Sequence, residues 1–371
     1  MKAMGVIFSN IYDSALAQLT SMRTVASLPF GGRYRFIDFV LSNLSNSGIY
    51  NIGIITKYNY RSLMDHLGNL SDWDLNRKNE SVLFLPPFVT GNTGVYKGKL
   101  EALHSAMNFI ETSDHDYVIV CDSTVLCNVD FRAALRQHAR SGCDVTILAN
   151  REPFDPPKKH PLILKADKNN LVTDILIDTF VQPDSYVGLG MFIFNRKHLL
   201  EVLEETYAKG LVHLERDFLQ RKLNENALTI SVYPVKGVVL RNEDIRSYYA
   251  NNMALMDKAV RDDLFNPDRP IYTKVRDEAP TYYGEGNSVK NSLIADGCKV
   301  NGTVENSVIF RGVSVEKDAA VVSSIVMQGA RIGKGAHLEC VILDKNVTVN
   351  DGTVLKGTPE HPVIIQKGET A

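Results

Sequence analysis

The sequence predicts an α/β domain with a mostly parallel sheet, followed by a left-handed parallel β-helix. Two observations carry this expectation. Up to about residue 256, short apolar runs alternate with segments of helical periodicity, the pattern of a parallel sheet with helices on both faces. Beyond about Tyr282 that alternation stops, and aliphatic residues recur with a period of 17, as in a coiled repeat whose faces stack inward.

In chain order, GVIF (5–8), NIGIIT (51–56), DYVIVC (116–121) and CDVTILA (143–149) read as strands. Between them, KGKLEALHSAMNFIET (98–113) places Leu100, Leu103, Ala106, Met107 and Ile110 on one helical stripe. Residues 1–256 are assigned to the α/β domain, 257–286 to a linker and 287–371 to the β-helix. Within the last, Ile309, Val326 and Leu343 form one column, and Val315, Ile332 and Val349 the next. Three flat faces of six, six and five residues account for each coil, with Gly312, Gly329, Gly333 and Gly335 where the backbone turns. The first coil, 288–305, is less regular, as terminal repeats are. An antiparallel sandwich would not hold such a register across three columns.

Composition removes several function classes. A net charge of −2 with 23% charged residues gives no bulk attraction to nucleic acid or to an anionic membrane. The apolar run from Met4 to Phe8 is too short for a signal-peptide core or a membrane span. Five scattered cysteines without CxxC spacing read as reduced thiols of a cytoplasmic protein. His337 and His361 could serve as bases for acyl transfer on a hexapeptide-type coil, but these repeats lack the long loop that an acceptor site needs. Trp73, the single tryptophan, reads as structural, beside Pro86 and Pro87.

The stretch VIVCDSTVLCNVD (118–130) ends a buried strand with Asp122. In α/β nucleotide enzymes, ligands bind outside the carboxyl ends of such strands. Asp122 therefore stands where a metal-holding carboxylate belongs, and is either that ligand or a carboxylate making loop hydrogen bonds where the ligand has been lost; the altered positions below favour no metal site.

PFGGRYRFIDFVLSNLSNSGI (29–49), SDWDLNRKNESVLFLPPFV (71–89), YKG (96–98), GMFIFN (190–195) and NSVIFRGVSV (306–315) resemble bacterial glucose-1-phosphate adenylyltransferase, also called ADP-glucose pyrophosphorylase. The resemblance covers nearly the whole chain. It implies a Rossmann-like nucleotidyltransferase (GT-A-like) domain before the β-helix. The implied reaction joins ATP and glucose 1-phosphate to give ADP-glucose and pyrophosphate for glycogen synthesis. Such chemistry brings two polyanions together, so it rests on positioning and on charge neutralisation by Mg²⁺ and basic side chains.

The positions that the resemblance assigns to this chemistry are altered. The family's loop AGGxGxRL aligns with SNIYDSAL (9–16). Its paired glycines fall on Asn10 and Ile11, its third glycine on Asp13 and its arginine on Ala15. Val25 stands for the lysine of KPAVPFGG. The family strand YVLILSGDHIYKMD aligns with 117–130 and puts its metal-binding aspartate on Thr124, two places beyond Asp122. A two-residue shift keeps the face of a strand but moves the side chain about 6.6 Å. The second metal aspartate, in YWKDVGT, falls on Arg241, which stays cationic and cannot ligate Mg²⁺. Asp244, three residues on, reads with Glu243 as the start of a helix. The sugar-phosphate lysine of EEKP falls near Asp178, and the glycine of FGIM near Leu162.

So many missing polar and cationic parts among preserved scaffold motifs resemble the family's accessory D-type chains. That resemblance implies a regulatory subunit with no cofactor of its own, in a hetero-oligomer, expected as a tetramer, with a catalytic paralogue that uses Mg²⁺ and ATP. Two alternatives stay open. One is an active adenylyltransferase with a rebuilt metal site on Asp122; the other is a sugar-phosphate or nucleotide sensor without chemistry. Arg33 and Arg35, in GGRYRF, are the candidates for a sugar-phosphate effector site, as the resemblance implies for the first of them.

Overall fold

The computed structural model describes residues 1–10, 13–78, 80–87, 96–153 and 158–371. It falls into two compact units. Met1–Ile11, Phe39–Tyr60 and Gly68–Val239 form the first; Tyr12–Asp38, Arg61–Leu67 and Leu240–Ala371 form the second. Residues 240–256, grouped with the α/β domain by the strand–helix pattern, thus pack with the β-helix unit. Of the expected linker 257–286, residues Lys258–Leu264 are helical. The Asp257 carboxylate caps that helix by accepting from Ala259 N–H, and Leu264 is buried, so the segment has both a start signal and an apolar anchor.

The first unit is built on a nine-stranded sheet of β1 (Ala3–Phe8), β2 (Ile52–Ile55), β3 (Val82–Leu85), β4 (Tyr117–Asp122), β5 (Val145–Asn150), β6 (Ile163–Ala166), β7 (Val172–Leu176), β8 (Tyr186–Asn195) and β9 (Ile230–Pro234). The main path runs β7-β6-β8-β4-β1-β2-β3; β5 also pairs with β8, and β9 with β5. The block β4-β1-β2-β3 is parallel, and β8 joins it antiparallel to β4. The four expected strands are β1, β2, β4 and β5. β1 is buried along its whole length, as befits a strand with parallel neighbours on both edges. Phe8, at its carboxyl end, lies opposite Asp122 at the end of β4.

Helices cover this sheet. Phe131–Ser141 starts on Asp130, whose carboxylate accepts from Arg132 N–H, and stops at Gly142 with φ of 66°. It buries Phe131, Ala134, Leu135 and His138. The stripe expected over 98–113 forms two helices, Lys99–Ser105 and Met107–Glu111, separated at Ala106. Ala106 sits at φ −94° and ψ 3°, outside helical values, while Leu103 and Ile110 stay buried. Trp73 is fully buried, and its carbonyl accepts from Ser45 Oγ at 2.8 Å.

The second unit contains the β-helix, three parallel sheets of five short strands. Its registers reproduce the columns: Val304–Val321–Leu338–Leu355, Ile309–Val326–Leu343 and Val315–Ile332–Val349. These aliphatics form one interior cluster. The irregular coils are the terminal ones. Val289 pairs with Val304, so the first coil is shorter, and Leu343 pairs with Ile365, so the last is longer. One sheet is apolar on both faces: Val308, Ile325 and Ile342 are fully buried although they alternate with the interior column. Just before its central strand, Ser323 O accepts from Tyr249 Oη at 2.5 Å. Nearby, Arg23 Nη2 reaches both oxygens of Asp344, at 2.7 and 2.8 Å.

Among the described residues no helix is long and apolar enough to cross a membrane.

Candidate functional site

The strand-end site of the first unit is occupied by the protein's own charges. Asp122 lies at the end of β4 and is 3% exposed. Lys99, the first residue of the helix Lys99–Ser105, is also buried and donates from Nζ to Asp122 Oδ2 at 2.7 Å. The same ammonium donates to Glu215 Oε1 at 2.5 Å, from the π-helical segment Leu214–Gln220. The rings of Phe8 and Phe192 flank it, with centroids 5.9 and 5.5 Å from Nζ. The neighbouring Ser123 donates through Oγ to Phe8 O.

Asp122 is also confined from the β8 side. Gly190 lies at the irregularity in the β8–β5 pairing with φ of 66°, and a Cβ there would come within 2.1 Å of Asp122 Oδ2. Gly190→Ala therefore meets both left-handed backbone strain and a collision with the carboxylate. The expected cost is about 2–4 kcal/mol, read as a lowered urea midpoint at unchanged slope.

Mg²⁺ needs near-octahedral oxygen ligands at about 2.0–2.1 Å. An ammonium already sits on the Asp122 oxygen, and a second ligand acid is lacking at Thr124, which is buried. Among the described residues there is also no group of three or more His, Cys, Asp or Glu side chains placed to hold an ion. With Lys99 seated on Asp122, the residues as they stand do not fit the metal.

The other predicted positions are dispersed over both units. Asn10 joins the ends of β1 and β2: its Oδ1 accepts from Ser9 Oγ at 2.8 Å and Lys57 N at 3.0 Å, and its Nδ2 donates to Tyr58 O at 3.1 Å. Ile11 lies outside the described residues, and Asp13 and Ala15 belong to the short 3₁₀ segment Asp13–Leu16. Val25 is buried in the 3₁₀ turn Val25–Ser27 of the second unit. Asp178 is exposed and accepts from Arg216 Nη2 at 3.0 Å, so a neighbouring cation answers its charge. Leu162 packs under Gly188, where an added Cβ would lie 2.6 Å from it. Arg241, in the second unit, is buried, and its carbonyl accepts from Asn251 Nδ2 at 2.7 Å. Asp244 caps the helix Ile245–Ala254 through a capping box with Ser247.

A second constellation lies wholly within the second unit. Arg33 and Arg35, on the hairpin of Pro29–Phe30 and Tyr34–Arg35, line a basic pocket with His66, Lys274, Arg276, Arg311 and Lys345. Arg35 is held by its Nη1 donating to Ser62 O at 2.7 Å and its backbone N–H donating to Asp38 Oδ2 at 2.9 Å. The other Asp38 oxygen meets His66 Nε2 at 2.6 Å. Lys274 Nζ donates to Asp65 O, and Arg311 reaches Lys274 O.

Electrostatics mark this pocket as short of negative charge. Burial, followed by the neighbouring Arg35 and Arg23, pushes the Lys345 ammonium down to about 6. Burial holds Arg35 down to about 10, and burial together with Arg33 lowers Arg311. The adjacent carboxylate, Asp344, is engaged by Arg23. Such an arrangement is relieved by an anion of several oxygens, which arginine forks bind bidentately.

Sequence reading found Arg33 and Arg35 but missed His66, Lys274, Arg276, Arg311 and Lys345. A signal for part of this was available. Arg311, Gln328 and Lys345 are 17 apart, so the repeat that sets the interior columns also stacks these three on consecutive coils beside the hairpin.

Comparison with known proteins covers most of the chain. Residues 6–234 match a family described as nucleotidyl transferase, and residues 279–361 one described as GlmU-like, C-terminal hexapeptide. The chain is 38% identical to the glycogen biosynthesis protein GlgD of Geobacillus stearothermophilus, over 99% of this chain and 96% of that one. It is 34% identical to GlgD of Bacillus subtilis (strain 168), over 98% and 96%. It is also 31% identical to glucose-1-phosphate adenylyltransferase of Bacillus thuringiensis (strain Al Hakam), over 98% and 96%. With such identity along nearly its full length, the chain belongs to the glucose-1-phosphate adenylyltransferase family of nucleotidyl transferases, together with the GlgD proteins.

Proposed function

We propose that this chain is a regulatory subunit of glucose-1-phosphate adenylyltransferase in cytoplasmic glycogen biosynthesis. In this reading it has little or no catalysis of its own and forms a hetero-oligomer, a tetramer, with a catalytic paralogue. Mg²⁺ and ATP are used by the partner. The observation that carries the reading is the basic pocket around Arg33, Arg35, Arg311 and Lys345, kept in a chain whose positions for phosphate and metal chemistry hold Asn10, Val25, Thr124, Asp178 and Arg241. The pocket encloses only about 30 Å³, so in this reading its cations meet the phosphate of a sugar-phosphate effector while the sugar lies outside; the substitutions at the other positions remove what phosphoryl chemistry needs.

The test is ADP-glucose formation from ATP, glucose 1-phosphate and Mg²⁺, by the chain alone and mixed with its catalytic paralogue. No product alone, and a several-fold gain over the paralogue in the mixture, is the expected result. Robust turnover by the isolated chain would overturn it. The double variant Thr124→Asp/Arg241→Asp is expected to stay inactive alone, because the loop at 9–16 and position 25 still lack their parts. Turnover near that of a catalytic chain would show those parts to be dispensable.

The alternative with a metal site rebuilt on Asp122 is disfavoured by the Lys99 contact. The pocket also supports a second reading, a sensor that binds phosphorylated compounds without chemistry. Binding by the isolated chain with no effect on any paralogue's turnover would favour that one.

A further inference from the structure

We infer that Lys99 is a resident cation, which occupies the strand-end site of the first unit in place of a divalent ion and masks a latent two-carboxylate metal site. The inference rests on geometry within that unit and holds whether or not the chain regulates a partner.

Three observations support it. One nitrogen lies within hydrogen-bond distance of Asp122 Oδ2 and Glu215 Oε1. Two carboxylates from elements far apart in sequence therefore converge on a single positive centre. That centre is in the interior: Lys99 and Asp122 side chains are 4% and 5% exposed, and Glu215 18%. Carboxylates so placed demand a positive partner, because a charge taken out of water is tolerated only when paired.

The lysine's position also runs against its local preference. It is the first residue of a helix, where the peptide dipoles disfavour a cation and favour an acid. Its backbone context does not explain an ammonium there, whereas the two acids do. Phe8 and Phe192 close the apolar side of the nest and limit access of water to it. The triad thus resembles an ion with its ligands, the ion being tethered through a side chain.

Removing the cation distinguishes an ordinary structural ion pair from a resident cation. If Lys99 stands in for an ion, the emptied position will accept one. Mn²⁺ is the probe, followed by its spin-resonance signal and by the melting temperature of the full chain with Mn²⁺ or with EDTA. The expected result is that the native chain takes up no Mn²⁺ here and melts identically in both conditions. Lys99→Ala should bind about one Mn²⁺ per chain and melt higher with it, by analogy with ligand linkage. The gained binding should vanish in Lys99→Ala/Asp122→Asn. Lys99→Arg, which keeps a cation, should again refuse the metal.

Equal Mn²⁺ uptake by the native chain and Lys99→Ala, or no uptake by either, would overturn the inference. If Lys99→Ala folds only with Mn²⁺ present, the inference stands. If it fails to fold with or without the ion, an ion cannot replace the lysine and the inference falls. None of these readouts depends on ADP-glucose formation in a mixture, so this inference and the regulatory reading can fail separately.

Discussion

Replacing Arg23 by alanine is expected to destabilise the second unit by about 3–5 kcal/mol, the range for breaking a buried ion pair from one side. Arg23 and Asp344 are each almost fully buried, and the guanidinium engages both carboxylate oxygens. Removing it strands a carboxylate in the interior. The paired replacement Arg23→Met/Asp344→Leu removes both charges and should recover most of the loss, since matched apolar side chains are often as stable as a buried pair. Urea unfolding followed by circular dichroism gives both values. A loss below about 1 kcal/mol for Arg23→Ala, as at a surface pair, would show that the pair is solvated. The consequence reaches the pocket, because Lys345 directly follows Asp344 in the chain.

The second large effect is expected on anion binding. Sulfate, which keeps its charge across the neutral range, should bind the basic pocket more tightly at pH 6 than at pH 8. In the free pocket the Lys345 ammonium is pushed down to about 6, so at pH 8 it is largely neutral. An anion beside it favours the charged form and raises its pKa, so binding takes up a proton. Affinity therefore rises as pH falls from 8 and levels off once the free pocket is itself protonated, below about 6.

The same shift has a stability consequence. The folded state holds fewer protons than the unfolded one between the folded value of about 6 and the ordinary 10.5. The destabilising contribution of Lys345 is therefore full below about 6 and fades as pH rises towards the unfolded value. Lys345→Met should flatten the pH dependence of sulfate binding while leaving some affinity. Arg311→Glu/Lys345→Glu should weaken binding by roughly 100-fold or more, as charge-assisted contacts of about 1.5–3 kcal/mol each are lost and reversed. Titration calorimetry at two pH values measures both. Tighter sulfate binding at pH 8 than at pH 6, or no response to the double reversal, would remove this pocket as the site.

The sequence by itself determined the β-helix and its register. Each coil repeats the previous one, so the interior columns of Ile309, Val326 and Leu343 announce themselves locally, and the sheets could pair only as they do. It also determined the buried parallel strands, because β1 and β4 carry apolar residues continuously, as only strands covered on both faces do. The chemical types at the altered positions were equally legible, since a threonine at 124 or an arginine at 241 lacks a carboxylate in any fold.

What the tertiary structure alone decided is the fate of Asp122. Its partners Lys99 and Glu215 come from distant segments, and neither stands in a recognisable motif around the acid. Lys99 sits at a helix start, where local rules expect no cation, so propensity pointed away from it. The break at Ala106 was hidden for a similar reason: the apolar spacing continues smoothly through it, and only the backbone conformation shows the interruption. The pocket is intermediate. The stacking of Arg311 and Lys345 follows from the period of 17, but their approach to Arg33, Arg35 and His66 requires the segments Tyr12–Asp38 and Arg61–Leu67 to pack into the β-helix unit. Periodic patterns report contacts between near neighbours of one repeat. Single charged side chains carry no record of the distant segment that will neutralise them.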